Sequence, residues 1–207
     1  MKEKNKHWDS IFLNFKDSSL GWYEEDLTKT FTLLNKIDQW EKSTIFISGA
    51  GTSLLIDKLL FKKTALIVND ISIEAINKVK TRLGMSEKEI NWLCQDISQP
   101  FYKKIATIDI WLDRAVLHFL RDEKDIEGYF ENLKKHLAPN GYAIFAEFSK
   151  TGAIECADLP VHQYCEEELS SRLGGNFKLI SYFEHVYVNP LGDNKPYIYT
   201  LYQRVNR

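Results

Sequence analysis

Among 207 residues there are only three cysteines, five prolines and ten glycines, and no long apolar run. Each scarcity removes a class of protein. Cys94, Cys156 and Cys165 form no Cys-x-x-Cys pair and no metal-ligand spacing, so no metal site is expected, and reduced thiols in a cytoplasmic protein are. No segment approaches the ~20 apolar residues needed to span a bilayer. The opening MKEKNKHWDSIFLNF is too interrupted by Lys, Asp and Asn to be a signal peptide. Neither sign of charge dominates, with 27 basic against 29 acidic residues and a net charge of −2. Nothing in bulk charge therefore draws the chain to nucleic acid or to an anionic membrane. Linkers rich in Pro, Gly or Ser are absent too, as are internal repeats, and the length suits one α/β domain rather than two.

What is present is an alternation of short apolar runs with longer amphipathic segments, the signature of a mostly parallel sheet. Strands are expected near 44–48 (TIFIS), 65–69 (ALIVN), 91–94 (NWLC), 107–112 (TIDIWL) and 142–148 (YAIFAEF). Helices are expected near 25–36, 53–61, 73–82, 100–105, 115–120 and 125–137, with Pro-Asn-Gly in HLAPNGY turning the chain into the fifth strand. The end differs: FKLISYFEHVYV and YIYTLYQRV both alternate, and only NPLGDNKP separates them. That connection is too short for a helical crossover, so the two form an antiparallel hairpin. The expected fold is a Rossmann-like doubly wound sheet, mostly parallel and closed by a C-terminal antiparallel hairpin. It forms a single domain over 1–207: an N-terminal cap or helix over 1–40, a cofactor-binding half over 41–150, and a substrate-rim loop, helix and hairpin over 151–207.

In such a sheet the ligand sits at the carboxyl ends of the strands, where strand order reverses. The first strand ends in Gly49-Ala50-Gly51-Thr52-Ser53. Glycines there let backbone N–H groups approach a carboxylate or phosphate, and the Ser53 hydroxyl either faces that group or caps the next helix. The third glycine of the dinucleotide fingerprint is replaced by Leu54. The second strand ends in Asn69-Asp70, about 20 residues on, where an acid can accept both hydroxyls of a ribose. The third ends in Gln95-Asp96-Ile97; Asp96 can accept an adenine amine while Ile71 and Ile97 sandwich the ring. The fourth ends in Asp113-Arg114. A ligand that presents a carboxylate, a ribose and an adenine in that order is S-adenosylmethionine.

The ordered set GAGTS–ND–QD–LDRAV–LAPNGYAIFAEF, with its terminal hairpin, resembles class I S-adenosylmethionine-dependent methyltransferases over residues 20–203 or so. It is most similar to a small bacterial subgroup with an N-terminal Trp-Tyr (here Trp22-Tyr23) and a DRAVxHFL segment (here 113–120). That subgroup is in turn similar to protein-lysine methyltransferases and, more distantly, to thiopurine methyltransferase-like enzymes. The resemblance implies cofactor contacts from Trp22, Gly49, Ala50, Gly51, Ser53, Asp70, Ile71, Asp96, Ile97, Asp113 and Arg114. One departure stands out: the acid that the family commonly carries two residues before the first glycine, to position the methionine amino group, is Ile47. Backbone carbonyls at Gly49 or Leu112, or the Asp113 side chain, are the alternatives.

The acceptor is less legible. A small molecule accepting the methyl on N, S or O is the first expectation, because no extra docking domain is visible, and a protein lysine is the alternative. Tyr23, Glu147, Phe148, His162 and Tyr164 are candidate acceptor contacts, with Leu159 and Pro160 as walls contributed by the long 149–165 loop. Asp113 and His118 are candidate catalytic groups, although a histidine inside AVLHFL is more often a core residue. No NPPY-like tetrapeptide of amino-methylating nucleic-acid enzymes occurs. An NAD-dependent oxidoreductase on the same turn is the second alternative; Leu54, Asp96 and the hairpin stand against it.

Overall fold

A computed structural model describes residues 2–205; Met1, Asn206 and Arg207 of the expected 1–207 domain lie outside the described residues. Five strands, β1 (Thr44–Ser48), β2 (Ala65–Asp70), β3 (Ile90–Cys94), β4 (Ile108–Arg114) and β5 (Leu137–Phe148), run parallel to one another. Two two-residue strands, β6 (Glu155–Cys156) and β7 (Leu159–Pro160), pair within the long loop. The hairpin β8 (Phe177–Val188) and β9 (Asn194–Arg204) then adds antiparallel to β5. Sheet order is β3-β2-β1-β4-β5-β9-β8. The direction of winding reverses between β1 and β4, so their carboxyl ends open onto a crevice.

The apolar strands are buried on both faces, as continuous apolar runs require. Ile45, Ile47, Leu112, Ile144 and Tyr199 face one layer, and Phe46, Trp111, Phe145 and Tyr202 the other. The helices are α1 (Lys2–Asn14), α2 (Thr28–Leu34), α3 (Leu55–Phe61), α4 (Ile73–Leu83), α5 (Glu123–His136) and α6 (Glu166–Leu173). α4 starts where the Ser72 hydroxyl accepts from the Ala75 N–H (3.2 Å). α5 buries Ile126, Tyr129, Phe130 and Leu133, the i, i+3, i+4, i+7 stripe of a core-facing helix.

Several expected elements change. No helix forms over 100–105; the Gln95 amide bonds the Gln99 and Pro100 carbonyls, and its Oε1 accepts from the Tyr102 N–H. Those side-chain bonds compete with a helical ladder. Residues 115–120 shrink to a single 3₁₀ turn, Leu117–Phe119, because Asp113 Oδ1 takes the N–H groups of Val116 (3.2 Å) and Leu117 (3.4 Å). The 25–36 helix retains only Thr28–Leu34, with the Asp26 carboxylate accepting from the Thr28 N–H ahead of it. Pro-Asn-Gly lies within β5: Leu137 pairs with Ile108 and Tyr142 with Ile110, so residues 138–141 bulge opposite Asp109. α1 lies in the region expected as an N-terminal cap or helix, but only 25–36 was singled out there as helical.

Candidate active site

At the carboxyl ends of β1, β2, β3 and β4 lies a cavity of about 620 Å³, lined on the sheet side by Ile47–Ser53, Asn69–Ile71, Gln95–Ile97, Leu112 and Arg114. The glycine turn is held from β2. Asn69 O accepts from the Ala50 N–H (2.8 Å), and Asp70 Oδ2 accepts from the Gly51 N–H (2.6 Å). Gly49 and Gly51 adopt φ of +47° and +50°, the left-handed region that glycine enters without a Cβ penalty. A Cβ on Gly49 would stand 2.4 Å from a Val116 methyl. Leu54 is the N-cap of a helix of only seven residues, Leu55–Phe61. The Ser53 hydroxyl accepts from the Leu55 N–H (3.2 Å), while Ser53 still lines the cavity.

Asp70 is buried, and its Oδ1 takes the Ser72 N–H (2.8 Å). Each carboxylate oxygen thus spends one lone pair on backbone and keeps another for a ligand. Burial pushes its pKa up to about 6, against the lowering effect of the two N–H donors. Asp96 Oδ1 accepts from the Ser98 N–H (2.9 Å) and hydroxyl (2.7 Å), and Oδ2 stands 3.8 Å from the Lys4 ammonium.

α1 roofs this cavity, contributing Lys4, His7, Trp8 and Phe12. Lys4 pairs with Asp125 (2.5 Å), His7 Nε2 lies 3.1 Å from the Ala157 carbonyl, and Asp9 accepts from the Ser72 hydroxyl (2.6 Å). Trp8 packs edge-on against Phe119 (4.8 Å between centroids) and Trp22 (5.7 Å). Leu159 and Pro160 close the far wall. These α1 residues escaped sequence reasoning, although Trp8, Ile11 and Phe12 carry the i, i+3, i+4 apolar spacing that would have revealed the helix.

Residues 22–24 cross the mouth as a strap tied to the sheet by Arg114. The guanidinium donates from Nη1 to the Trp22 carbonyl (2.9 Å), sets Nε 2.9 Å from Glu24 Oε2, and lies over the Tyr187 (5.2 Å) and Tyr197 (5.4 Å) rings. Tyr187 also donates to the Tyr23 carbonyl. Trp22, Tyr23 and Glu24 all line the cavity; Glu24 was not singled out from the sequence.

Of the sequence-predicted site residues, Trp22, Tyr23, Gly49, Ala50, Gly51, Ser53, Asp70, Ile71, Asp96, Ile97 and Arg114 line this one cavity. Asp113, His118, Glu147, Phe148, His162 and Tyr164 do not, which corrects the expectation that placed them at cofactor or acceptor. Adjacent residues on a strand face opposite ways, so Asp113 turns from Arg114's face toward α5, where Tyr129 donates to its Oδ2 (2.7 Å). It hydrogen-bonds Glu147; burial raises both carboxyls, Asp113 well above its usual range and Glu147 to about 7, so the pair keeps a proton. His118 is fully buried, stacked on Phe148 (4.5 Å) with Nδ1 2.8 Å from Glu147, and burial pushes it down to about 3. It is a neutral core histidine. Tyr164 is equally buried, and His162 pairs with Glu168 (2.7 Å) beyond the rim. Among the described residues no His, Cys, Asp or Glu group could hold a metal ion, and no helix is long and apolar enough to cross a membrane.

Residues 47–143 match the methyltransferase domain family. The matched stretch begins at Ile47, beside the glycine turn, and ends inside β5. A curated relative, malonyl-[acyl-carrier protein] O-methyltransferase 2 of Ilyobacter polytropus, is 27% identical over 138 residues, 66% of this chain; the aligned part is 46% of that protein. The chain thus spans about half the length of the curated relative it matches. Among solved structures, a SAM-dependent methyltransferase from Anabaena variabilis superposes with a TM-score of 0.77 at 13% identity, covering 98% of this chain and 94% of that one. The Burkholderia thailandensis 1,6-didemethyltoxoflavin-N1-methyltransferase, solved with 1,6-didemethyltoxoflavin and S-adenosylhomocysteine, gives 0.74 at 17% identity, covering 99% and 90%. NodS, an N-methyltransferase from Bradyrhizobium japonicum in complex with S-adenosylhomocysteine, gives 0.66 at 17% identity, covering 86% and 85%. At such identities the shared property is the fold: this chain has the Rossmann-like fold of S-adenosylmethionine-dependent methyltransferases.

Proposed function

We propose that the protein is a class I S-adenosylmethionine-dependent methyltransferase acting on N, S or O of a small molecule. The observation that carries the reading is the convergence of Gly49–Gly51, Asp70 and Asp96 from three successive strand ends on one cavity. The residues present fit the cofactor: the glycine turn admits close backbone approach, Asp70 keeps a lone pair on each oxygen for the ribose hydroxyls, and Ile71, Asp96 and Ile97 line the same cavity for an adenine. An NAD site would use the same first two features, but it has no need of Asp96 and usually relies on the glycine that Leu54 replaces.

S-adenosylmethionine supplies an activated methyl on a sulfonium; what the chain contributes is alignment and exclusion of water. Effective molarity alone can supply roughly 7–11 kcal/mol of a barrier. α1, the Trp22–Glu24 strap and the β6–β7 hairpin enclose the mouth, which supports a small acceptor over a folded protein surface. Asp113 and His118 take no part in this reading, since both face the core. The test is release of S-adenosylhomocysteine from S-adenosylmethionine across a panel of small thiols, amines and carboxylic acids, with a malonyl thioester and a lysine peptide alongside. Turnover of a small acceptor supports the proposal; turnover confined to the lysine peptide overturns its acceptor class.

A further inference from the structure

A methionine side chain ends in a zwitterion, and its ammonium needs an acceptor that Ile47 cannot be. Ile47, Leu112 and Arg114 share one sheet face, because Ile47 pairs with Leu112 and residues two apart on a strand point the same way. In register, Arg114 lies beside Ala146 and Ala146 beside Tyr199, so the guanidinium stands over the row that continues from the glycine turn. Seated on that guanidinium is Glu24, delivered by the strap, its side chain 8% exposed and its residue lining the cavity. Oε2 faces Arg114 Nε, while Oε1 has only the Tyr199 hydroxyl at 3.5 Å and retains acceptor capacity.

The other cavity acids are committed elsewhere. Asp70 holds Gly51 and Ser72, Asp96 and Asp125 answer Lys4, Asp122 caps α5 at the Lys124 N–H, and Asp17 pairs with Lys78. Asp113 is on the opposite face. We propose that Glu24 receives the methionine ammonium of the bound cofactor, and that Arg114 is its positioning residue. The inference rests on the cofactor reading above and adds to it the residue that completes the amino-acid end of the site. A sheet position that lacks an acid is thereby served by a carboxylate from a strap outside the sheet.

The test compares two ligands by calorimetric titration of cofactor-free protein: S-adenosylhomocysteine and its deamino analogue, 5′-S-(3-carboxypropyl)-5′-thioadenosine. Glu24→Gln keeps the shape and removes the charge. It should weaken S-adenosylhomocysteine by roughly tenfold or more and leave the analogue within about twofold of wild type, since a charge-assisted bond is lost for one ligand only. Where Glu24→Gln leaves Arg114 uncompensated and the fold suffers, Glu24→Gln with Arg114→Met removes both charges and should still fail to distinguish the two ligands. Equal weakening of both ligands by Glu24→Gln, or unchanged binding of both, overturns the assignment while the cofactor reading stands. Failure of the wild type to bind S-adenosylhomocysteine brings down both.

Discussion

Replacing Gly49 by alanine tests the glycine turn where it is most constrained. Two costs follow from the structure. At φ of +47° an alanine enters the left-handed region at about 1–2 kcal/mol. Its Cβ would also stand 2.4 Å and 2.8 Å from the two Val116 methyls, and overpacking of that kind costs about 1–3 kcal/mol. Gly49→Ala should therefore destabilise by about 2–5 kcal/mol, read as a lowered midpoint in urea unfolding followed by tryptophan fluorescence. Val116→Ala removes the colliding methyls, so the double variant should regain the overpacking part and leave the backbone part. The expected coupling energy is about 1–3 kcal/mol, favourable in the double variant. A Gly49→Ala protein within about 0.5 kcal/mol of wild type, or a cycle without coupling, would refute the claim that this turn is packed against the segment after β4.

Three further outcomes are expected. Burial lifts Asp70 to about 6, and only the ionised form accepts two ribose hydroxyls, so S-adenosylhomocysteine affinity should hold above that pH and fall by roughly tenfold per unit below it. Asp70→Asn should bind weakly with that step removed; a wild-type profile without a step near 6 would argue against the ribose role. Tyr129→Phe strands the Trp111 N–H (2.8 Å to the hydroxyl) and takes a donor from Asp113; a loss of about 2–4 kcal/mol in chemical denaturation is expected, and an unchanged midpoint would discount the network. Gly128→Ala lies inside α5, where alanine normally stabilises by up to about 1 kcal/mol. Here the new Cβ would meet the Ser98 carbonyl at 2.2 Å, so the sign reverses, and a rise in thermal midpoint would contradict the close approach of α5 to the turn after β3.

The sheet was legible because strand runs such as TIFIS and ALIVN are apolar throughout, and the closing hairpin because FKLISYFEHVYV fits no helix; β8 runs over the same residues, Phe177–Val188. The cavity floor was legible for a related reason: in a doubly wound sheet, the residues just past each strand are brought to one edge. What lay hidden depends on contacts between distant segments. α1 draws its partners from Ser72, Asp125 and Ala157, and no local pattern announces a roof. Glu24 gains its place through Arg114 and Tyr199, 90 and 175 residues along. Asp113, Glu147 and His118 misled for the opposite reason. Each is polar and near a strand end, but the two-residue period of a strand alternates core with crevice, which turns Asp113 and Glu147 to the core, and His118 is buried with them from the 3₁₀ turn after β4. Residues 100–105 misled because local side-chain bonds from Gln95 outcompeted the helix that their spacing suggested.

The most direct test of the central claim is calorimetric titration of purified, cofactor-free protein with S-adenosylhomocysteine, with NAD⁺ in a parallel cell. Micromolar binding of S-adenosylhomocysteine alone is the expected result and would establish the cavity at Gly49–Gly51, Asp70 and Asp96 as a cofactor site. Binding of NAD⁺ alone, or of neither ligand, would contradict it.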